Sequence, residues 1–428
     1  MKKITLFSLF CIGLVTQIFA AEWYVSQKEG KNKNAGNTVD APFKNIQKAL
    51  SVAEAGDIVK VAEGNYFGLM NSGNITMTNA LTLLGGYSSD FSERDILKYK
   101  TLIQPSNKSN GTGSNHPLLR LDFKTGTAVV DGFFFDKGES NNYHLKDGVV
   151  EGVEKGMLLH PPQKEDQSKN PNAKQPLIGG PNSGSLGDDL TISNCVFANG
   201  NNVAIRIPVN GKAKILNNVF VANVMASAEL WGGNNQNRAS LEFAWNTVLF
   251  SWSRTKDLGD MGYGVRAMTL MDYNIHHNII GFSCFAGVDA TRDDKNRKLS
   301  IDNNIFLLNR QADLTLPGGG MFMRIWVDDF EDLEIESSDD NTAPKDLGPL
   351  AGTINKAYAA AFLNVSYKET VDYDENSPAN LFRAALGLNK QGKISSAVSM
   401  YANKYPLDDA LALFGAYSQA GAQIPKKE

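Results

Sequence analysis

Only three cysteines occur in the 428 residues, so neither a disulfide framework nor a cysteine-rich zinc site is available. The five histidines are scattered, which excludes a histidine metal cluster. No phosphate-binding glycine loop or dinucleotide fingerprint is present. Basic residues are not in excess: the formal charge is −4, whereas a general nucleic-acid binder needs a basic surface to displace counterions. The 39 glycines follow no collagen-like period. Apolar residues make up 42% and charged residues 21%, the balance of a folded globular chain rather than a disordered one.

Long apolar runs are also missing. Residues 4–19, behind Lys2 and Lys3, fall short of the roughly 20 apolar residues a spanning helix needs. With a small-residue end at Ile18-Phe19-Ala20, residues 1–20 read as a secretory signal, and Ala21 is the expected start of the mature chain. A secreted, periplasmic or cell-surface location is expected, with no stable membrane insertion. Cys195 and Cys284 lie in apolar strand-like runs, where buried free thiols are the expectation.

What is present is a repeat. Asn194-Cys195-Val196-Phe197, Asn217-Asn218-Val219-Phe220, Asn246-Thr247-Val248-Leu249, His277-Asn278-Ile279-Ile280 and Asn303-Asn304-Ile305-Phe306 follow one another at 23, 29, 31 and 26 residues. Most follow an alternating strand such as Leu190-Thr191-Ile192 or Leu299-Ser300-Ile301. An earlier copy is Val129-Val130-Asp131-Gly132-Phe133-Phe134. One strand–Asn–strand unit per 20–30 residues is the mark of a solenoid, with the asparagines stacked in a hydrogen-bonded ladder at a corner. Leucine-rich repeats and propeller blades lack their own signatures here. At the histidine pair the expectation is an imidazole, His277, standing in for a ladder asparagine.

The entry to the repeat has a distinctive order. Tyr24-Val25-Ser26 leads to Ala41-Pro42-Phe43, a helical stretch over residues 43–55, then Gly56-Asp57 and Gly64-Asn65-Tyr66. This resembles the N-terminal entry of secreted right-handed parallel β-helix (pectin-lyase-like) proteins. Leu83-Leu84-Gly85-Gly86-Tyr87-Ser88-Ser89-Asp90-Phe91 and Arg94-Asp95 resemble a segment common in the same group. The resemblance covers roughly residues 22–330 and implies an all-β solenoid over residues 21–335, with a helix lying across its open end. Residues 137–188 interrupt the period as a long loop. Residues 336–428 read as an acidic linker and a helical tail, with helices over 378–388, 394–403 and 408–417.

Comparing rungs gives a column of charge. Ala204-Ile205-Arg206-Ile207, Ser227-Ala228-Glu229-Leu230, Gly264-Val265-Arg266-Ala267, Gly287-Val288-Asp289-Ala290 and Asp313-Leu314-Thr315-Leu316 occupy equivalent places. Strand alternation sends Arg206, Glu229, Arg266, Asp289 and Thr315 outward in one line. Read blandly, this is an exposed ion-pair ladder that fixes register. Read functionally, it is the binding face, walled by the loops at residues 253–263 and 291–298, with Trp231 placed to stack on a sugar.

The fold resemblance implies an acidic, uronate polysaccharide as partner, with β-elimination if the chain is an enzyme. The rival is a non-catalytic binding or adhesion scaffold. For a lyase, Arg206 and Arg266 would clamp the carboxylate, Lys256 or Tyr263 of the flanking loop would serve as base, and Trp231 and Arg292 would hold substrate. Glu229, Asp289 and Asp293 would hold Ca²⁺. No family's catalytic set is complete: Glu229-Leu230-Trp231 lacks the second glutamate of a Glu-x-Glu pattern, and Arg206-Ile207-Pro208 meets only half of Arg-x-Pro-x-x-Arg. A glycosidase would need a carboxyl pair about 5–9.5 Å apart, and Glu229 and Asp289, two rungs apart, stand at the outer limit. A monomer that binds no nucleic acid is expected.

Overall fold

The computed structural model describes residues 20–68, 74–105, 116–137, 175–200, 202–233, 238–252, 261–320, 322–365, 371–372, 376–390, 393–394 and 404–428. Residues 1–19 and most of the 137–188 insertion therefore lie outside the described residues.

The chain winds as a parallel β-helix. Each rung gives one strand to each of three sheets, as in Leu190–Ser193, Val196–Ala198 and Ile205–Val209, before Lys212–Leu216 opens the next rung. Sheet 1 begins with Glu22–Val25 and ends with Leu299–Asp302; sheet 3 runs from Gly64–Tyr66 to Ile305–Leu307. Sheet 2 runs from Ile75–Met77 to Ala312–Leu316 and closes with Met323–Ile325, its one antiparallel strand. Core positions alternate along the strands, and aromatic rings stack along the axis: Phe135, Phe197, Phe220 and Phe243 succeed one another at 5.2, 4.7 and 5.9 Å. Cys195 and Cys284 are buried thiols not joined in a disulfide, and burial raises the Cys195 pKa.

The asparagine ladder forms at the corner between sheets 1 and 3. Asn218, Asn246, Asn278, Asn304 and Asn341 are its members, each side-chain oxygen accepting the backbone N–H of the residue one rung below at 2.9–3.0 Å. Two sequence readings are corrected by this register. Thr247 pairs with Val219, so the third motif slips by one residue and Asn246 aligns with Asn218, not Asn217. His277 does not replace a ladder asparagine; Asn278 fills that place. His277 belongs to the preceding column of left-handed residues, Asn194, Asn217, Trp245, His277 and Asn303, with φ of 53–58°. Its ring stacks on Trp245 at 4.5 Å.

Both ends of the coil are closed. The helix expected over residues 43–55 is only Ile46–Leu50, burying Ile46, Ala49 and Leu50 across the first rung. The stretch read as an acidic linker carries a last partial rung, where Ser337 and Thr342 bridge to Ser300 and Ile305. Beyond it lie Lys356–Val365, which the composition did not signal, and Pro378–Ala385 and Leu407–Leu411. Residues 395–403 lie outside the described residues. The segment 404–428 lies along the outside of sheet 3, sharing an apolar cluster with Val196, Val219, Leu249 and Ile279. No helix among the described residues is long and apolar enough to cross a membrane.

Candidate functional site

The register of sheet 2 sets Arg206 beside Glu229, Glu229 beside Arg266, Arg266 beside Asp289 and Asp289 beside Thr315. The column is therefore real, but it is not the exposed surface ladder the alternation suggested. Glu229, Arg266, Asp289 and Thr315 are each at most 5% exposed. Only Arg206, whose side chain is 48% exposed, reaches solvent.

Burial of three charges is tolerated because they alternate and interlock, with Arg206 at the solvent side. Glu229 accepts from Arg206 Nε at 2.8 Å and from Arg266 Nη1 at 2.7 Å, one through each oxygen. Arg266 Nε donates to Asp289 Oδ2 at 3.0 Å. The other Asp289 oxygen accepts from the Thr315 and Thr291 hydroxyls at 3.0 and 2.7 Å. Burial alone would lower the Arg266 pKa, but the charges of Asp289 and Glu229 outweigh it and hold the proton more firmly than usual. Tyr263 lies over the same guanidinium, with its ring centre 5.1 Å away.

This donor set does not fit Ca²⁺. Every carboxylate oxygen of Glu229 and Asp289 already accepts from a guanidinium or hydroxyl, whereas Ca²⁺ needs six to eight oxygens facing one point. Asp293 is exposed in the 291–298 loop, and no group of three or more metal-binding side chains occurs among the described residues. Asp294 serves the loop instead, accepting from Arg238 at 3.0 and 3.1 Å and from the Leu270 amide. Arg292 is exposed in the same loop. Lys256 lies outside the described residues.

The accessible end of the column is Arg206 and Trp231. The Arg206 guanidinium is fixed through Nε and lies 5.8 Å from the centre of the half-buried Trp231 ring. One further residue escaped the sequence reading. Arg120 pairs with Gly179, which pairs with Arg206, so Arg120 extends the same column two rungs lower. It is 7% exposed, its Nε has no hydrogen-bond partner, and burial lowers its pKa. The signal was there: Leu119-Arg120-Leu121 repeats Ile205-Arg206-Ile207, but the insertion at 137–188 separates the two.

The Gly85–Asp95 segment is structural. Arg94 bonds the Gly85 carbonyl at 2.9 Å and pairs with Asp131, while Gly86 and Gly132 adopt φ of 86° and 79° around Ile96. A Cβ on Gly86 would meet Ile96 at 2.7 Å, which fixes glycine there.

A family model described as a protein of unknown function, DUF1565, matches residues 28–93, which take in the N-terminal cap, the first rungs and the part of this segment ahead of Arg94. No curated protein matches the chain. A solved structure titled "The complex structure of XylC with xylose" is similar at 12% identity and a TM-score of 0.21, over 84% of this chain and 82% of that chain. A likeness that weak carries no argument about activity.

Proposed function

We propose that the chain is an exported β-helix that binds an acidic polysaccharide on the outer face of sheet 2, as a binding module and not as a lyase. The observation that carries the reading is the contrast within one column: a solvent-facing arginine beside an indole at one end, and a sealed ion network behind it. Arg206 is anchored through Nε, which leaves its terminal nitrogens to meet a uronate carboxylate. Trp231 offers a flat apolar face for the sugar ring. Neither arginine accepts a proton: Arg266 is held charged by two carboxylates, and an arginine keeps its proton at any ordinary pH. Elimination needs a base on this face; of the two residues expected for it, Tyr263 packs over the Arg266 guanidinium and Lys256 lies outside the described residues.

The test is a panel of uronate polysaccharides, scored both for binding and for the ultraviolet absorbance of unsaturated chain ends. One polymer is expected to bind without any absorbance rise. Arg206→Ala and Trp231→Ala should each weaken that binding by roughly tenfold or more, and added salt should weaken it further. An absorbance rise abolished by Arg206→Ala would make the chain a lyase. Absence of binding to every polymer would leave only a scaffold.

A further inference from the structure

At the far end of the coil, where the last rungs meet the tail, lies a cavity of about 300 Å³. Trp326 and Phe306 form apolar walls, and Asn309, Asp313, Asp328 and Lys345 supply polar groups. Trp326 is 43% exposed, one of few large apolar side chains that face solvent in the described structure. Asp313, by contrast, is 3% exposed. It is held in place by Asn309 Nδ2 at 3.1 Å and the Val327 amide at 3.2 Å, one donor on each oxygen. Each oxygen keeps acceptor capacity beyond that single bond.

We propose that this cavity binds one neutral pyranose ring, independently of the face of sheet 2. An indole supplies a flat apolar surface for the C–H face of a sugar, and a fixed carboxylate accepts from a pair of neighbouring hydroxyls. Ligand pockets run from roughly 300 to 1,000 Å³, so this one, at the small end, suits a single ring and not an extended oligosaccharide. The charged lining is balanced, with Asp313 and Asp328 against Arg310 and Lys345. The deepest of the two carboxylates would repel a uronate while accepting from hydroxyls. A neutral sugar is therefore the ligand selected. Burial raises the Asp313 pKa to about 6, so at neutral pH the group is mostly the carboxylate that the contact requires.

Calorimetric titration of the full chain at neutral pH, with methyl glycosides of glucose, galactose, mannose and xylose and with glucuronate, tests the assignment. One neutral glycoside should bind with millimolar affinity, and glucuronate should bind at least several-fold more weakly. Trp326→Ala, on an exposed side chain that the fold does not need, should lower the affinity by roughly tenfold. Asp313→Asn should do the same, with circular dichroism confirming the coil. No binding of any neutral glycoside, a preference for glucuronate, or unchanged affinity in Trp326→Ala would each overturn the proposal. Because these ligands carry no polymeric charge, failure here leaves the polysaccharide reading of Arg206 and Trp231 to its own test.

Discussion

Glu229 is the residue on which the buried column turns, since it alone touches both arginines. Replacing it with alanine leaves Arg266 buried with a single carboxylate and frees Arg206. Breaking a buried pair by removing one partner costs about 3–5 kcal/mol, against about 0–1 for an exposed pair. Glu229→Ala is therefore expected to lower the unfolding free energy by about 3 kcal/mol or more in denaturant titration, and a loss under about 1 kcal/mol would mean that the column is solvated. Asp313 gives a pH-dependent test. Its pKa is raised by burial from 3.8 to about 6, so between those values the folded state binds more protons than the unfolded one, and stability falls as pH rises through the interval. The ionised group, facing Asp328, Arg310 and Lys345, carries a penalty of up to about 3 kcal/mol above that window, since one pKa unit corresponds to about 1.4 kcal/mol. The stability of Asp313→Asn minus that of the native chain should accordingly grow from about pH 4 to about pH 6 and then level off. A flat difference would place Asp313 in contact with water. The identity of the column was legible from alternation alone, because Ile205-Arg206-Ile207 and its counterparts sit at equal strand positions. Its burial was not, because side-chain alternation gives direction, and whatever covers an outward residue comes from elsewhere in the chain.

An asparagine ladder makes each corner depend on its neighbours. Asn246 accepts from the Asn218 backbone and side-chain amides at 2.9 and 3.0 Å, and donates to the Ile215 carbonyl at 2.8 Å and to Asn278 at 3.1 Å. Alanine at this position strands buried partners on both sides, and each stranded group costs about 1–3 kcal/mol. Asn246→Ala is expected to cost about 3–4 kcal/mol, whereas Asn274→Ala, exposed on sheet 1 of the same coil, should stay within about 0.5 kcal/mol. Equal effects would show that the ladder adds nothing beyond strand pairing. The repeat was readable because asparagine recurs, and the error of one residue at Trp245-Asn246-Thr247 has a plain cause. Every other motif begins with a polar left-handed residue ahead of the ladder position, and Trp245 fills that place with φ of 57°, so the pattern lost its first letter there. The short cap has a similar origin: residues 43–55 have helical spacing, but Val52 and Ala53 turn away to meet Gly56 and the strand that follows.

At the scale of the molecule, the tail ties the rungs together along one edge. Its amides step backwards down the coil: Gly421 donates to the His277 carbonyl, Ala422 to the Thr247 hydroxyl and Gln423 to Asn217 Oδ1. Glu428 then exchanges two backbone bonds with Arg94, at 2.7 and 3.0 Å, near the start of the solenoid. A solenoid rung otherwise touches only its neighbours, so this strap couples rungs that the coil leaves independent. Helical composition in the tail was visible in the sequence, but its route was not, because its partners are corner side chains whose polarity already served the repeat. Asn217 donates to the Gln423 carbonyl at 3.0 Å as well as accepting from its amide. Asn217→Gly, which suits the left-handed backbone and gives up one bond to Asn194 besides the two to Gln423, should therefore loosen residues 421–428 without opening the coil, by about 1–2 kcal/mol for the pair lost to the tail. In amide hydrogen exchange, amides of residues 421–428 should exchange faster, by roughly one order of magnitude, while those of Leu241, Phe243 and Ile275 keep their protection. Faster exchange throughout sheet 1 would instead mean that strap and coil open as one cooperative unit, and unchanged exchange at 421–428 would mean that the apolar contacts of Leu413, Phe414 and Ala420 hold the strap by themselves.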